Sequence, residues 1–185
     1  ILAGAACAAL LACGASQANP IVGNRPAKPE QGTSLNPDYR KGLIAVFEGR
    51  LDDARRAFEE AAKAEPKSAA PLLGQAEIAF KQKRPYDALT WINKALGVAP
   101  DDPHAHASLG RYMIISGKGK EAEASLRKAV RLDPQFFRAH IDLADLLAGQ
   151  RRWSDAVPLY ERCTTLDPTH GGAHYGLGIA RGQLG

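Results

Sequence analysis

At 185 residues the chain has the length of one compact domain, and its three cysteines are too few for a disulfide framework. The 24 Lys and Arg against 20 Asp and Glu leave a formal net charge of +4. These charges are interleaved along the sequence, which argues against a nucleic-acid partner, because nucleic-acid binders gather positive charge in one patch.

The first stretch, Ile1 to Cys13, is uncharged and rich in Ala and Leu, and no charge appears before Arg25. It is short for a membrane span, which needs about 20 apolar residues, and it suits the apolar region of a secretory signal. With no initiator Met and no basic leader, the natural chain is expected to begin earlier. Residues 1–18 are therefore read as an export signal with two possible exits. Leu10-Leu11-Ala12-Cys13 resembles a bacterial lipobox, which implies that Cys13 is lipidated and becomes the first residue of the mature chain. Gly14 follows, not the Asp associated with inner-membrane retention, so the resemblance implies the outer membrane. The other exit is Ser16-Gln17-Ala18, a small-x-small cleavage site releasing a soluble periplasmic protein. An uncleaved or buried apolar helix is a third outcome.

Residues 19–34 have little apolar content, and the stretch NPIVGNRPAKPEQGTSLN from Asn19 to Asn36 holds three prolines and two glycines. Such a segment cannot bury enough surface to offset the entropy of ordering, so it reads as a tether. From Cys13 to Leu35 it would reach about 25 Å, at ~5–6 Å times the square root of the residue number.

From Leu35 onward one skeleton returns every 34 residues. A small residue recurs as Gly42, Ala76, Gly110, Ala144 and Gly178, and another as Ala54, Ala88, Ala122 and Ala156. A large apolar residue recurs as Phe58, Ile92, Leu126 and Tyr160, a small one as Ala61, Ala95, Ala129 and Cys163, and a proline as Pro66, Pro100, Pro134 and Pro168. Repeats of this length imply a row of units packed on their neighbours rather than one central core. Amphipathic spacing places helix pairs at 37–48 with 52–64, 69–81 with 86–97, 103–115 with 120–131, and 137–148 with 154–165. A last helix begins near Gly172. Asn36-Pro37 and Asp102-Pro103 each offer an N-cap followed by proline at the first helical position.

These positions resemble the tetratricopeptide repeat, a helix-turn-helix unit. The resemblance covers residues 35–185 and implies an all-α, right-handed superhelical solenoid of antiparallel helix pairs. The units are 35–68, 69–102, 103–136 and 137–170, with the first helix of a fifth at 171–185. It also implies small residues where paired helices approach closely, and a large one filling the space between adjacent pairs. Two departures stand out. The turn position is Gly49 and Gly117 but Lys83 and Arg151 elsewhere, and the fourth position is Asp38 in the first unit and His in three others.

The resemblance further implies a concave groove lined by the first helices. In the first unit it assigns Tyr39, Leu43, Val46 and Phe47, and in the second Leu73, Glu77, Phe80 and Lys81. The third supplies His104, Arg111, Ile114 and Ile115, the fourth Arg138, Ile141 and Asp145, and the last Tyr175 and Ile179. This lining is apolar with a few charges, suited to a protein or peptide segment. It lacks the Lys/Asn pattern that clamps a C-terminal carboxylate.

Other motifs lose to their plainer explanations. His106, His140 and His174 share one repeat position, so they sit on the order of 10 Å or more apart and cannot share one metal ion. His170 and His174 lack a third ligand. GRYMIISGK, from Gly110 to Lys118, lacks the spacing and the Ser or Thr of a phosphate loop. Cys163 stands where other units carry Ala and reads as a buried packer. No catalytic motif emerges, no cofactor is implied, and contact with a membrane is expected only through the lipid anchor. The expected function is a non-enzymatic scaffold similar to the lipoproteins of pilus assembly and secretion. Exopolysaccharide export, or the recognition arm of an enzyme whose catalytic domain follows residue 185, is the alternative. The fifth unit stops after one helix, so further repeats or another domain are expected beyond it.

Overall fold

The computed structural model describes residues 36–185. The expectations for the export signal, Cys13 and the tether lie outside the described residues. Among those described there are nine helices and no strand. They are α1 (Pro37–Phe47), α2 (Leu51–Ala64), α3 (Ala70–Lys81), α4 (Pro85–Val98), α5 (Pro103–Ile115), α6 (Gly119–Leu132), α7 (Phe137–Gly149), α8 (Trp153–Leu166) and α9 (Gly171–Leu184). Odd-numbered helices open the units and even-numbered helices close them.

Local chemistry sets the boundaries. The Asn36 side chain accepts from the backbone N–H groups of Asp38 and Tyr39 at 2.9 and 3.2 Å, and Asp102 accepts from Ala105 at 2.7 Å. Both are followed by proline, whose missing N–H is no loss at the first helical position. The last cap is one that sequence reasoning missed: His170 Nδ1 accepts from the Ala173 N–H at 3.1 Å. Inside each hairpin the chain reverses through a left-handed residue, Gly49 at φ 77° and Gly117 at 71°, but also Lys83 at 58° and Arg151 at 60°. Side-chain-bearing residues take that conformation at a cost of roughly 1–2 kcal/mol.

Packing follows the repeat. Each helix contacts the next in sequence, and each first helix also touches the first helix of the following unit, as α1 does α3 and α5 does α7. Successive second helices make no such contact. The first helices therefore occupy the inner side of the stack and the second helices the outer side. Ala54, Ala88, Ala122 and Ala156 are fully buried where hairpin helices cross.

The large residue of each second helix is a knob between units. Phe58 lies between two glycines, Gly42 of its own unit and Gly74 of the next. A Cβ on Gly74 would come within 2.7 Å of its ring, and one on Gly42 closer still. Leu126 fills the space over Gly110, and Tyr160 that over Gly176, where added Cβ atoms would meet them at 2.6 and 2.5 Å. Ile92 is smaller and is buried in one cluster with Ala76.

The three equivalent histidines bind the joints between units. His106, His140 and His174 each place Nε2 on the carbonyl oxygen six residues earlier, that of Pro100, Pro134 and Pro168, at 2.8, 3.1 and 2.9 Å. The ring donates there, which satisfies a carbonyl past the end of the preceding helix that no backbone N–H reaches. Lys128 and Arg162 approach the Pro100 and Pro134 carbonyls from the far side, at 3.5 and 3.3 Å. Among the described residues no group of three or more His, Cys, Asp or Glu could hold a metal ion. Cys163 is fully buried, and desolvation, reinforced by Asp145 and Asp142, pushes its thiol up to about 12. It stays protonated and packs.

Candidate partner-binding trough

The inner surface of α1, α3, α5, α7 and α9 is the candidate site. Seen from there, the sequence-derived lining divides into three groups. The first is open to solvent and apolar: Leu43, Phe47, Ile114, Ile115 and Tyr175. Phe47 and Tyr175 are the most exposed of these, at 69% and 67%, which is unusual for large rings. His104 is also open, with its ring 4.3 Å from that of Phe136.

The second group consists of charges already committed to one another. Arg111 donates to Glu77 Oε2 at 2.6 Å across the gap from α5 to α3, and its guanidinium lies 3.8 Å from the centre of the Phe80 ring. Both partners of that pair are about four-fifths buried. Arg138 donates to both carboxylate oxygens of Asp142, one helical turn on, at 2.8 Å. The Tyr160 hydroxyl donates to Asp145 Oδ1 at 2.7 Å. Sequence reasoning missed Asp142 and the reach of Tyr160 from the second helix. The spacing of Arg138 and Asp142 could have revealed the former.

Burial opposes the charge on both acids. Desolvation raises Asp142 above the usual carboxylate range, although Arg138 and Arg111 pull it back. Asp145 is raised too, first by desolvation and then by the charge of Asp142, while the Tyr160 hydrogen bond and Arg138 oppose the rise. Asp145 still meets water on its trough side, so the crowding around it is that of a concave wall rather than of an interior. Tyr39 is half-buried against Phe58, its ring 5.6 Å away, and burial together with the Asp102 carboxylate raises its phenol.

The third group corrects the expectation. Val46 and Ile141 do not line an open surface: they are 2% and 9% exposed and serve packing between helices. Leu73 is partly buried and packs on the joint between units two and three. Lys81 and Ile179 are half-exposed. The side chains that extend from one first helix toward the next are covered by that neighbour, and periodicity along one helix cannot register its neighbour's reach.

A family model described as Tetratricopeptide repeat matches residues 39–103, 109–170 and 141–185, essentially all of the helical array. The chain belongs to the tetratricopeptide repeat family. With the family comes its architecture, a right-handed superhelical solenoid of antiparallel helix pairs, here four units and the first helix of a fifth. Repeats of this family are protein-interaction scaffolds. Among curated relatives, the cytochrome c-type biogenesis protein CycH of Rhizobium meliloti is 33% identical over 116 residues, 58% of this chain and 30% of that protein. The repeat chain spans between 12% and 30% of the length of the curated relatives it matches. Among solved structures, PilF of Pseudomonas aeruginosa superposes with a TM-score of 0.70 at 17% identity, over 80% of this chain and 67% of that one. The first such domain of Spaghetti (RPAP3), bound to an HSP90 peptide, superposes at 0.60 and 21% identity, over 63% of this chain and 95% of that one. Likeness at these identities is likeness of fold.

Proposed function

We propose that this repeat protein is an exported, non-enzymatic scaffold whose trough holds an extended or helical segment of a partner protein. In this reading it is tethered to the outer membrane through a lipidated Cys13 and serves an assembly of the pilus or secretion type. One observation carries the binding role: of the ten large apolar residues left exposed among the described residues, five (Leu43, Phe47, Ile114, Ile115 and Tyr175) belong to first helices at trough positions. Exposed aromatic and aliphatic anchors flanked by satisfied charges are how a binding surface separates affinity from orientation. The fold shared with PilF, and with a domain bound to a peptide, supports the reading. No described helix is long and apolar enough to cross a membrane; in this proposal the lipid on Cys13 supplies attachment.

The trough's charge pairs decide how it is tested. Arg111→Ala would leave Glu77 partly buried and unpaired, confounding binding with folding. Phe47→Ala with Ile115→Ala removes only exposed surface. A crosslinking pull-down from cells expressing the complete gene should yield a partner that this double variant fails to capture, with circular dichroism unchanged. Undiminished capture would remove the trough from the proposal. Cys13→Ser should move the protein from the membrane fraction to the soluble periplasm.

A second reading is that the array is the recognition arm of a larger enzyme. It is favoured by the greater length of the matched relatives, among them a thioredoxin and an O-mannosyl-transferase. The full reading frame separates the two: more repeats and a stop codon favour the scaffold, a long unrelated domain the enzyme.

A further inference from the structure

Because the backbones of successive second helices stay apart, a furrow runs between each pair on the outer side, floored by the intervening first helix. The furrows are built from equivalent positions but are closed differently. Between α6 and α8, Arg152 reaches across to the Glu123 carboxylate at 2.6 and 3.2 Å, and also binds Asp155 at 2.7 Å. The hydrogen bond from Arg152, joined by one from Arg127, holds Glu123 below the usual carboxylate range. Between α2 and α4 the same framework returns with one sign reversed. Arg84 occupies the position of Arg152 and binds Asp87 at 2.5 Å, as Arg152 binds Asp155. The residue at the position of Glu123, however, is Arg55.

Two arginines therefore line a furrow that its counterpart closes with an ion pair, and a cleft of about 310 Å³ remains. Its other walls are Gln75, Gln82, Trp91 and Lys94. Among the described residues the acid partner of Arg55 is the exposed carboxylate of Asp52, at 3.5 Å, and Lys94 places its ammonium over the Trp91 ring, 4.1 Å from the centre. Three cations thus face one acid, Asp87, in a cleft floored by apolar Ile78 and Ala79. In the middle furrow the corresponding residues are Leu89 and Lys118, with no arginine pair.

We infer that this outer furrow binds an acidic side chain of a partner protein, its carboxylate seated between Arg55 and Arg84 as the Glu123 carboxylate seats against Arg152. The protein supplies the template for its own ligand: a carboxylate is the group that closes the equivalent furrow. A planar guanidinium pairs with a carboxylate through two parallel hydrogen bonds, which favours that group over a point anion. The furrow is open along its length, so a small free acid would remain solvated and gain little. A chain segment lying along it adds contacts with the Trp91 ring and with the Gln82 amide. The inference does not rest on the trough, which lies on the other side of α3.

The test measures binding of fluorescein-labelled hexaglutamate to the full repeat protein by fluorescence anisotropy, with glutarate as competitor. Arg55→Glu should rebuild the Glu123–Arg152 pair with Arg84, raise the melting temperature and weaken hexaglutamate binding by about tenfold or more. Arg131→Glu, which makes the same change in net charge on the exposed end of α6, should leave binding nearly unchanged. Arg55→Gln, which adds no new pair, should weaken binding without the thermal gain and covers the case in which Arg55→Glu fails to fold. The inference is overturned if the Arg55 and Arg131 variants weaken binding equally, which would mean general attraction. It is also overturned if neither does, if the unaltered protein fails to bind at millimolar concentration, or if glutarate binds as tightly as the peptide. Phe47→Ala should not alter hexaglutamate binding, so failure here and failure of the trough are told apart.

Discussion

The first and second units solve one packing problem with opposite choices. In the first, the knob between units is an aromatic ring, and glycine is required on both sides of it, Gly42 and Gly74. In the second the knob is the β-branched Ile92, with Ala76 in its own unit and Ser108 at the position equivalent to Gly74. Volume is conserved across the joint rather than at any single position, as close-packed interiors require. The turns differ in the same pairwise way. The first unit reverses through Gly49, which takes a left-handed backbone freely, and the second through Lys83, which does not.

Emptying the aromatic joint should have the largest effect. Phe58→Ala leaves a void flanked by two glycines that cannot fill it, and should cost about 3–5 kcal/mol. Because each unit leans only on its neighbours, hydrogen exchange should accelerate in α1 and α2 while α7 and α8 stay protected. Uniform loss of protection would show a single cooperative core instead. The reverse swap is expected to be smaller: Ile92→Phe should overpack the second joint by about 1–3 kcal/mol. Adding Ala76→Gly should recover part of that loss in chemical denaturation, less the ~1 kcal/mol that glycine costs within a helix.

Exchanging the turns has a smaller effect and the opposite sign. Lys83→Gly relieves a strain of roughly 1–2 kcal/mol but adds backbone freedom to the unfolded chain, for a net gain of about 0.5–1 kcal/mol. The matching Gly49→Lys should lose a similar amount. The least effect is a slope with pH, and it comes from a position where the first two units have no histidine. His140 is buried, its Nε2 serves the Pro134 carbonyl and its Nδ1 has no partner among the described residues, so a second ring proton would be stranded. Desolvation lowers its pKa from the ordinary histidine value, with Arg162 adding to the fall and Pro134 and Asp133 opposing it. The unfolded chain then takes up the proton first. The associated stability is full above about pH 6.5 and is lost as pH falls toward the depressed folded value. His140→Gln, which can still donate to the carbonyl but does not titrate, should flatten the slope in thermal melts between pH 7 and 5.

The helices were legible because their signals are local. Helix ends read from proline and from capping Asn36 and Asp102 fall within a residue or so of those observed. The buried positions were legible because four units repeat the same constraint, and Cys163 was placed in the core by the alanines that share its position. The trough was only partly legible. Val46 and Ile141 share a helical face with exposed residues but are covered by the adjoining helix, and Arg111 is held by Glu77 from a different unit. The spacing of the three histidines gave no hint of the proline carbonyls they bind.

Sequence alone determined the repeat, its register, the helix pairs and the small and large residues that let them stack, because each depends on a residue's place within its own 34-residue unit. Tertiary structure decided which lining residues stay open, which charges cancel, and that Arg55 faces Arg84 where Glu123 faces Arg152. Those outcomes depend on the distance and angle between units. That geometry comes from how successive knobs and holes fit, and no single unit contains it.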